Sequence, residues 1–120
     1  YGKGSRLWFA GNFFKYLEDP EILPFDQHYL LALLAPRHLY VSSASKDHWA
    51  DPESEFLSCV AAEKAFEIYG KKGLIVGEEF PIPGEFFHDG NIGYHLRNGT
   101  HYLSRYDWQQ IIKYRKKHQV

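Results

Sequence analysis

Asp47 and His101 are the two side chains whose types and positions could together move a proton. Asp47 follows residues 38–44, HLYVSSA, an apolar run that leads into small polar residues, as expected of a strand that delivers a loop. His101 follows a second candidate strand at residues 91–95. In an open parallel sheet, active residues lie on loops at the carboxyl ends of the strands. The pattern therefore predicts a carboxylate and an imidazole at one edge of a sheet.

Such a pair has a defined chemistry. The carboxylate accepts a hydrogen bond from one imidazole nitrogen and fixes the tautomer, and the other nitrogen takes the proton of a nucleophile. Acid before histidine is also their order along the chain in α/β-hydrolases. Asp47 and His101 have a common alternative role, however, as residues that shape turns, and the residue pattern alone leaves both interpretations open.

The nucleophile that this chemistry needs is not evident in the chain. No G-x-S-x-G motif is present, and Ser42, Ser43 and Ser45 lack flanking glycines, so we assign them to turn chemistry. Cys59 falls within a predicted helix, where we expect a buried structural thiol. If the chemistry is hydrolytic, we expect the nucleophile and its oxyanion hole to lie upstream of Tyr1.

Trp49 lies two residues after Asp47 and is a candidate for binding substrate. An exposed tryptophan beside a catalytic loop offers a sugar ring an apolar face and an indole N–H donor. The alternative is burial beneath the helix that starts at Pro52. The tripeptide 98–100, Asn-Gly-Thr, is formally an N-glycosylation sequon, but we interpret it as the turn that presents His101.

Metal binding is not predicted. The seven histidines include no H-E-x-x-H motif and no pair three or four residues apart, and no cysteine pair is present. We therefore expect no metal, and we interpret the remaining histidines, at positions 28, 38, 48, 88, 95 and 118, as structural or surface residues. The net charge of −1 gives no reason to expect a nucleic-acid partner, and no apolar run approaches the roughly 18 residues that span a bilayer.

Helices and strands must position these side chains. Apolar segments at residues 7–17 and 28–35 predict two helices, the second of which stops before Pro36. Asp51 followed by proline predicts the start of a further helix, with a carboxylate as N-cap. Gly70 is the predicted end of that helix.

The second half of the chain begins with residues 77–90, whose three glycines and two prolines predict a loop. A short strand is predicted at residues 91–95, although Gly93 weakens that prediction. Ser104 with Asp107 three residues later resembles a capping box at the start of a last helix. The residues that share one face of that helix are Trp108, Ile111, Ile112 and Arg115.

Strands that alternate with helices predict an α/β fold with parallel strand pairing. Two or three strands cannot form a covered parallel sheet alone, and the chain opens on Tyr1 rather than on methionine. We therefore expect residues 1–120 to be the C-terminal segment of a single α/β domain, without the N-terminal part that would carry the nucleophile.

Two blocks of the sequence resemble the C-terminal part of the glucuronoyl esterases, and of their bacterial members in particular. Residues 23–56 contain LPFDQH, ALLAPR and DHWADP, and residues 92–108 contain GYHLRNGTH. These motifs in this order are far more specific than any one of them. The resemblance covers residues 7–118 or so. It implies the C-terminal portion of an α/β-hydrolase fold, with three layers and a mostly parallel sheet flanked by helices.

The resemblance implies a carbohydrate esterase that cleaves the ester between a 4-O-methyl-glucuronic acid branch on xylan and a lignin alcohol, by means of a serine nucleophile. His101 matches the catalytic histidine of the family, and Asp47 matches the acid that bacterial members place after this strand. Trp49 matches a tryptophan that contacts the uronic acid. No metal or organic cofactor is implied. Family members are exported, which implies a secreted or periplasmic protein.

Three alternatives stay open at this point. One is an acetylxylan esterase or other carbohydrate esterase, and another is a non-catalytic carbohydrate-binding relative. The third is a purely structural fragment in which Asp47 and His101 never meet. In each case we expect the chain by itself to be inactive. The role of residues 77–90 is also open; Phe86, Phe87 and His88 are candidates for a substrate contact there.

Overall fold

The computed structural model describes residues 9–119. These residues form two 3-10 helical segments, four α-helices and three β-strands. The 3-10 segments are Gly11–Tyr16 and Pro20–Ile22. The helices are α1 (Gln27–Ala32), α2 (Pro52–Ala61), α3 (Glu63–Glu67) and α4 (Arg105–His118), and the strands are β1 (Leu39–Ala44), β2 (Phe86–Phe87) and β3 (Ile92–Arg97).

The strands form one mixed sheet in the order β1-β3-β2. Strand β1 pairs with β3 in parallel, from Leu39 opposite Ile92 to Ala44 opposite Arg97, so the expected parallel pairing is confirmed. Strand β2 is antiparallel to β3 and lies in the segment predicted to be a loop. Gly84 N–H donates to the Leu96 carbonyl and Leu96 N–H donates to the Glu85 carbonyl, and these bonds attach the glycine-containing segment to the sheet.

One face of β3 carries the apolar core. Ile92, Tyr94 and Leu96 are buried there with Phe56 and Cys59 of α2, so Cys59 is a buried thiol as predicted. The opposite face packs against α4 and contains a glycine at a point of close approach. A side chain at Gly93 would meet the rings of Tyr40 and Tyr114 at 2.5 and 2.7 Å. The glycine that weakened the strand prediction is thus the residue that lets two aromatic rings cover the strand.

Helix α2 begins as the sequence predicted. The Asp51 carboxylate accepts hydrogen bonds from the Ser54 backbone N–H and hydroxyl, and Pro52 occupies the first turn. The predicted long helix is interrupted at Ala62, after which α3 is a separate short helix. The chain then leaves through Gly70, whose φ of +68° suits a residue without a side chain.

Helix α4 has the predicted capping box, in which Ser104 and Asp107 bond each other's backbone N–H groups. Its apolar face turns away from the sheet, so that Trp108 and Ile112 stay about half exposed within residues 9–119. The buried residues are instead Asp107, Gln110 and Tyr114. The reason is that the sheet face beneath α4 is itself polar, and Asp107 of the helix accepts hydrogen bonds from its His95 and Arg97 side chains.

The two helices predicted near the N-terminus are only partly confirmed. Residues 7 and 8 lie outside the described part of the chain, and the described remainder of the segment forms a 3-10 helix rather than an α-helix. Glycine and aromatic residues, which are poor helix formers, make up much of it. The second predicted helix exists but ends at Ala32, short of Pro36. No helix within residues 9–119 has the length and apolarity needed to cross a membrane.

Candidate active site

The loops that follow β1 and β3 lie side by side, because the two strands are parallel and end in register. Two backbone hydrogen bonds continue the pairing beyond the strands: Ser45 N–H donates to the Arg97 carbonyl and Lys46 N–H to the Gly99 carbonyl, both at 2.8 Å. The Ser45 hydroxyl also donates to the Asn98 side chain at 3.2 Å. The sheet itself therefore holds the two loops together.

Asp47 and His101 meet between these loops. The distance from His101 Nδ1 to Asp47 Oδ2 is 2.6 Å. A carboxylate can only accept, so Nδ1 carries the proton of this bond and Nε2 of the neutral ring is left with a free lone pair. Within residues 9–119 no group hydrogen-bonds Nε2, and the His101 side chain is 76% exposed while that of Asp47 is 11% exposed. The pair can thus accept a proton from a group that approaches from solvent.

Asp47 also shapes a turn, as its alternative interpretation supposed. Its Oδ1 accepts a hydrogen bond from the Ala50 backbone N–H at 3.4 Å, and its carbonyl accepts from Ala50 and Asp51. The two roles are compatible because they use different oxygens of the carboxylate. The turn fixes the side chain, and its second oxygen remains available for His101.

Glu55 is a further carboxyl group at this site that the sequence analysis did not single out. It projects from α2 and accepts a hydrogen bond from the Ser43 hydroxyl. Burial raises the pKa of Glu55, the Ser43 hydrogen bond opposes the rise, and the negative charges of Asp47 and Asp51 add to it. Its position one helical turn after the Asp51 cap was the available signal. A cleft of about 260 Å³ is lined by Glu55 together with Asp47 and His101.

Trp49 is 73% exposed, which differs from the alternative of burial beneath α2. It lines a second cleft of about 560 Å³, whose other wall contains Gln27 and Leu30 of α1. The two clefts share Ala50 and Glu55 as lining residues. The indole therefore lines a cleft that adjoins the cleft of the Asp47–His101 pair.

Arg97 and Asp107 were also missed by the sequence analysis as parts of the site. Arg97 ends β3, and its guanidinium lies under the loop that carries His101. Asp107 was predicted only as a helix cap, yet it also binds Arg97 and His95. The only signal for Arg97 in the sequence was its position as the last strand residue before the turn, and that signal is weak.

His88, a candidate for a substrate contact, is buried and hydrogen-bonded to the Tyr40 hydroxyl at 2.9 Å. It therefore belongs to the packing between the sheet and α4. No group of three or more histidine, cysteine, aspartate or glutamate side chains that could hold a metal ion occurs in the described residues.

Comparison with known proteins gives a consistent set of matches. A family model described as glucuronyl esterase of fungi matches residues 2–70. A carbohydrate esterase, MZ0003, from an unknown prokaryotic organism is 39% identical over 111 residues, which are 92% of this chain and 25% of that protein. A 4-O-methyl-glucuronoyl methylesterase of Hypocrea jecorina is 40% identical over 67 residues, or 56% of this chain and 14% of that protein.

Solved structures match over nearly the whole chain. A promiscuous CE15 esterase from a marine bacterial metagenome superposes with a TM-score of 0.87 and 39% identity, covering 92% of this chain and 28% of that one. A glucuronoyl esterase from Solibacter usitatus gives 0.81 and 44% identity, over 91% of this chain and 27% of the other. The predicted α/β-hydrolase fold class is thereby confirmed. The chain spans about a quarter of the length of these relatives.

Proposed function

The chain belongs to the glucuronyl esterase family, and we propose that the protein of which it forms part is a serine-type carboxylic ester hydrolase. The proposed substrates are esters that join 4-O-methyl-glucuronic acid branches of xylan to lignin alcohols. The observation that carries the proposal is the 2.6 Å hydrogen bond from His101 Nδ1 to Asp47, which leaves Nε2 facing solvent. The names of the glucuronoyl esterase relatives support the substrate class.

We infer that residues 1–120 are the C-terminal segment of a single α/β-hydrolase domain. Strand β1 supports this inference, because its outer edge has no partner strand within residues 9–119 although Leu39 and Val41 pack on the core. An unprotected edge of this kind is normally paired or covered. The rest of the sheet, with the serine and its oxyanion hole, would lie beyond that edge. The proposed activity therefore belongs to the complete domain.

The proposed mechanism assigns a proton path to the pair. His101 Nε2 removes the proton from the serine hydroxyl as its oxygen attacks the ester carbonyl, and Asp47 stabilises the imidazolium. The same proton then passes to the departing alcohol, which leaves an acyl-enzyme. In the second half of the cycle His101 takes a proton from water as the water oxygen attacks the acyl carbonyl. The bond between the acyl group and the serine oxygen then breaks, His101 returns the proton to that oxygen, and the uronic acid is released. These steps require only side chains and water, so the proposal includes no metal and no organic cofactor.

Trp49 is proposed to bind the uronic acid ring. Its exposed indole lies beside the cleft of the Asp47–His101 pair and offers both an apolar face and an N–H donor. Because the indole lines the adjoining cleft and carries no group that exchanges protons near neutral pH, its contribution would be to binding rather than to proton transfer.

A second candidate function is a broader carbohydrate esterase activity that includes acetylated xylan. The observation that favours it is the similarity to a CE15 esterase described as promiscuous. Both candidates share the same proton path and differ only in the ester that is accepted.

Either activity places the protein where plant polymers are, and we propose that it is secreted or periplasmic. Its proposed partners are the polymeric ester substrate and the remainder of its own domain. Neither a nucleic acid nor a membrane is part of the proposal.

The test is hydrolysis by the complete protein of benzyl glucuronate and of acetylated xylan, measured side by side. We expect the glucuronate ester to have the higher kcat/KM. A preference for acetylated xylan would support the second candidate. Absence of hydrolysis of both substrates by folded protein would overturn the proposal of an esterase.

A further inference from the structure

The backbone of the loop that carries His101 is held by one buried side chain. We call residues 98–103 the His101 loop. Arg97, immediately before it, is 7% exposed and donates Nη2 hydrogen bonds to the carbonyls of Thr100, at 3.1 Å, and Tyr102, at 2.6 Å. A further bond runs from Nη1 to the Asn98 carbonyl at 3.3 Å.

These contacts surround His101. The carbonyl groups of Thr100 and Tyr102 belong to the residues directly before and after it, so one guanidinium fixes the chain on both sides of the imidazole. Packing cannot do so, because the His101 side chain is largely exposed. The planar fork of arginine has the five N–H donors that such a geometry needs, whereas the single ammonium of lysine does not.

Arg97 is itself held in place from the opposite side. Its Nε donates to both carboxylate oxygens of Asp107, at 2.9 and 3.1 Å, and the guanidinium carbon lies 4.2 Å from the centroid of the Tyr102 ring. Asp107 is in turn fixed by the backbone N–H and hydroxyl of Ser104 and by His95. The position of the loop is therefore tied to the start of α4.

Gly99 makes room for this arrangement. Its φ is +135°, and a side chain at this position would approach Arg97 Nη1 to 2.4 Å. The loop can thus curl over the guanidinium only with glycine here.

We propose that Arg97, fixed by Asp107, is a positioning residue that holds the His101 imidazole at the distance and angle required for proton transfer with the nucleophile. The proposal rests on the proposed function, since it supposes that His101 is the general base. A displacement of a reacting group by about 1 Å can lower a rate by about 100-fold. A residue that acts through the backbone on both sides of His101 is expected to affect kcat, because it alters proton transfer rather than substrate binding.

The test uses the complete protein with Arg97→Lys, which keeps a cation beside Asp107 but cannot bond the carbonyls on both sides of His101. The matched control is His95→Asn, which removes another buried donor to the same carboxylate and leaves the His101 loop untouched. We expect Arg97→Lys to lower kcat by about 10-fold to 100-fold with KM unchanged. His95→Asn is expected to keep kcat within about 2-fold once rates are referred to folded protein, because Asp107 retains Ser104 and Arg97 as donors.

Two results would overturn the inference: a kcat for Arg97→Lys that matches the control, or a loss that appears only in KM. If Arg97→Lys does not fold, Gly99→Ala displaces the guanidinium from within the loop, and wild-type kcat in that variant would overturn the inference equally. Failure of the proposed function is recognised separately. It would appear as full activity in His101→Gln, whereas an inactive His101→Gln with a fully active Arg97→Lys refutes the positioning role alone.

Discussion

Two hydrogen-bonded histidine–aspartate pairs within residues 9–119 have nearly the same nitrogen–oxygen distance and opposite surroundings. His101 lies 2.6 Å from Asp47, and His95 lies 2.7 Å from Asp107. The side chains of the first pair are 76% and 11% exposed, and those of the second are 0% and 3% exposed. The hydrogen bond alone therefore does not distinguish a pair suited to catalysis from one that stabilises the fold.

The difference lies in the second ring nitrogen. His95 Nε2 donates to ionised Asp107, so Nδ1 accepts a hydrogen bond from the Tyr40 hydroxyl at 2.8 Å. Tyr40 oxygen accepts in turn from His88 Nε2. Burial lowers the pKa of His95 and outweighs Asp107, which raises it. The lowered pKa favours the neutral ring. Both nitrogens of His95 are thus occupied, whereas Nε2 of His101 has no partner within residues 9–119.

Asp107 shows how a buried carboxylate stays charged. Burial raises its pKa, but hydrogen bonds from Ser104, His95 and Arg97 more than compensate and lower the pKa to about 2. The Asp107 carboxylate therefore stays ionised near neutral pH and keeps its hydrogen bonds to these three residues. The exposed pair, by contrast, has one carboxylate oxygen in a turn and one on the imidazole.

The largest expected effect is on the exposed pair. In the complete protein, Asp47→Asn should lower kcat by at least about 10³-fold, because the amide no longer selects the tautomer with Nε2 free. Thermal stability should change little, since asparagine keeps a side-chain oxygen that can accept the Ala50 N–H and the His101 ring is largely exposed. The measurement is kcat on benzyl glucuronate together with the midpoint of thermal unfolding. Wild-type kcat would show that another group serves as the acid.

The buried pair should respond in the opposite way. We expect His95→Asn to lower the free energy of unfolding by about 1–3 kcal/mol, because it removes a buried donor from Asp107. Urea denaturation of the complete protein measures this loss, and kcat per folded molecule should stay near the wild-type value. If stability is unchanged while kcat falls, the division between the two pairs is wrong.

A smaller effect should appear next to the exposed pair. Trp49→Ala is expected to raise KM for a glucuronate ester by about 10-fold with little change in kcat, because it removes a binding surface rather than a proton carrier. Trp108→Ala is a suitable control, since this indole is exposed as well, to 53% against 73% for Trp49, but lies on α4. An unchanged KM in Trp49→Ala, or an equal rise in the control, would remove Trp49 from the substrate site.

The smallest effect concerns pH and tests the buried network. Burial, together with the positive charge of Lys117, lowers the pKa of His88 from 6.5 to about 4. Between these two pH values the unfolded chain binds more protons at His88 than the folded protein does. The contribution of His88 to the free energy of unfolding is therefore fully present above pH 6.5 and is lost as the pH falls towards 4. Unfolding midpoints at pH 7 and pH 5 measure the slope. It should be shallower in His88→Gln, and an unaltered slope would exclude His88 as a source.

Much of the fold could be predicted from the sequence because its signals are local. The Asp51-Pro52 start of α2, the Ser104 capping box and strand β1 depend on residues within one turn or one strand, and each is confirmed. Strand β2 was missed because its two residues are held by Tyr94 and His95 of β3 rather than by their own pattern.

The residues of the candidate site also fall into those that the sequence revealed and those that it did not. Asp47 and His101 were recognisable because strand ends in a parallel sheet come together, and the structure brings them within hydrogen-bonding distance. Their catalytic role remains a prediction. Arg97 and Asp107 could not be recognised, because a charged strand residue acquires a buried role only when α4 supplies its partner. The spacing of apolar residues also predicted the wrong buried face of α4, because the polar face of the sheet packs against the polar side of that helix.

The most direct test of the central claim is the activity of His101→Gln in the complete protein, assayed on benzyl glucuronate beside the wild type. Glutamine keeps an exposed polar side chain but cannot exchange a proton at Nε2. We predict that kcat/KM falls by at least about 10³-fold while the thermal midpoint is unchanged. Hydrolysis at the wild-type rate would contradict the assignment of His101 as the general base.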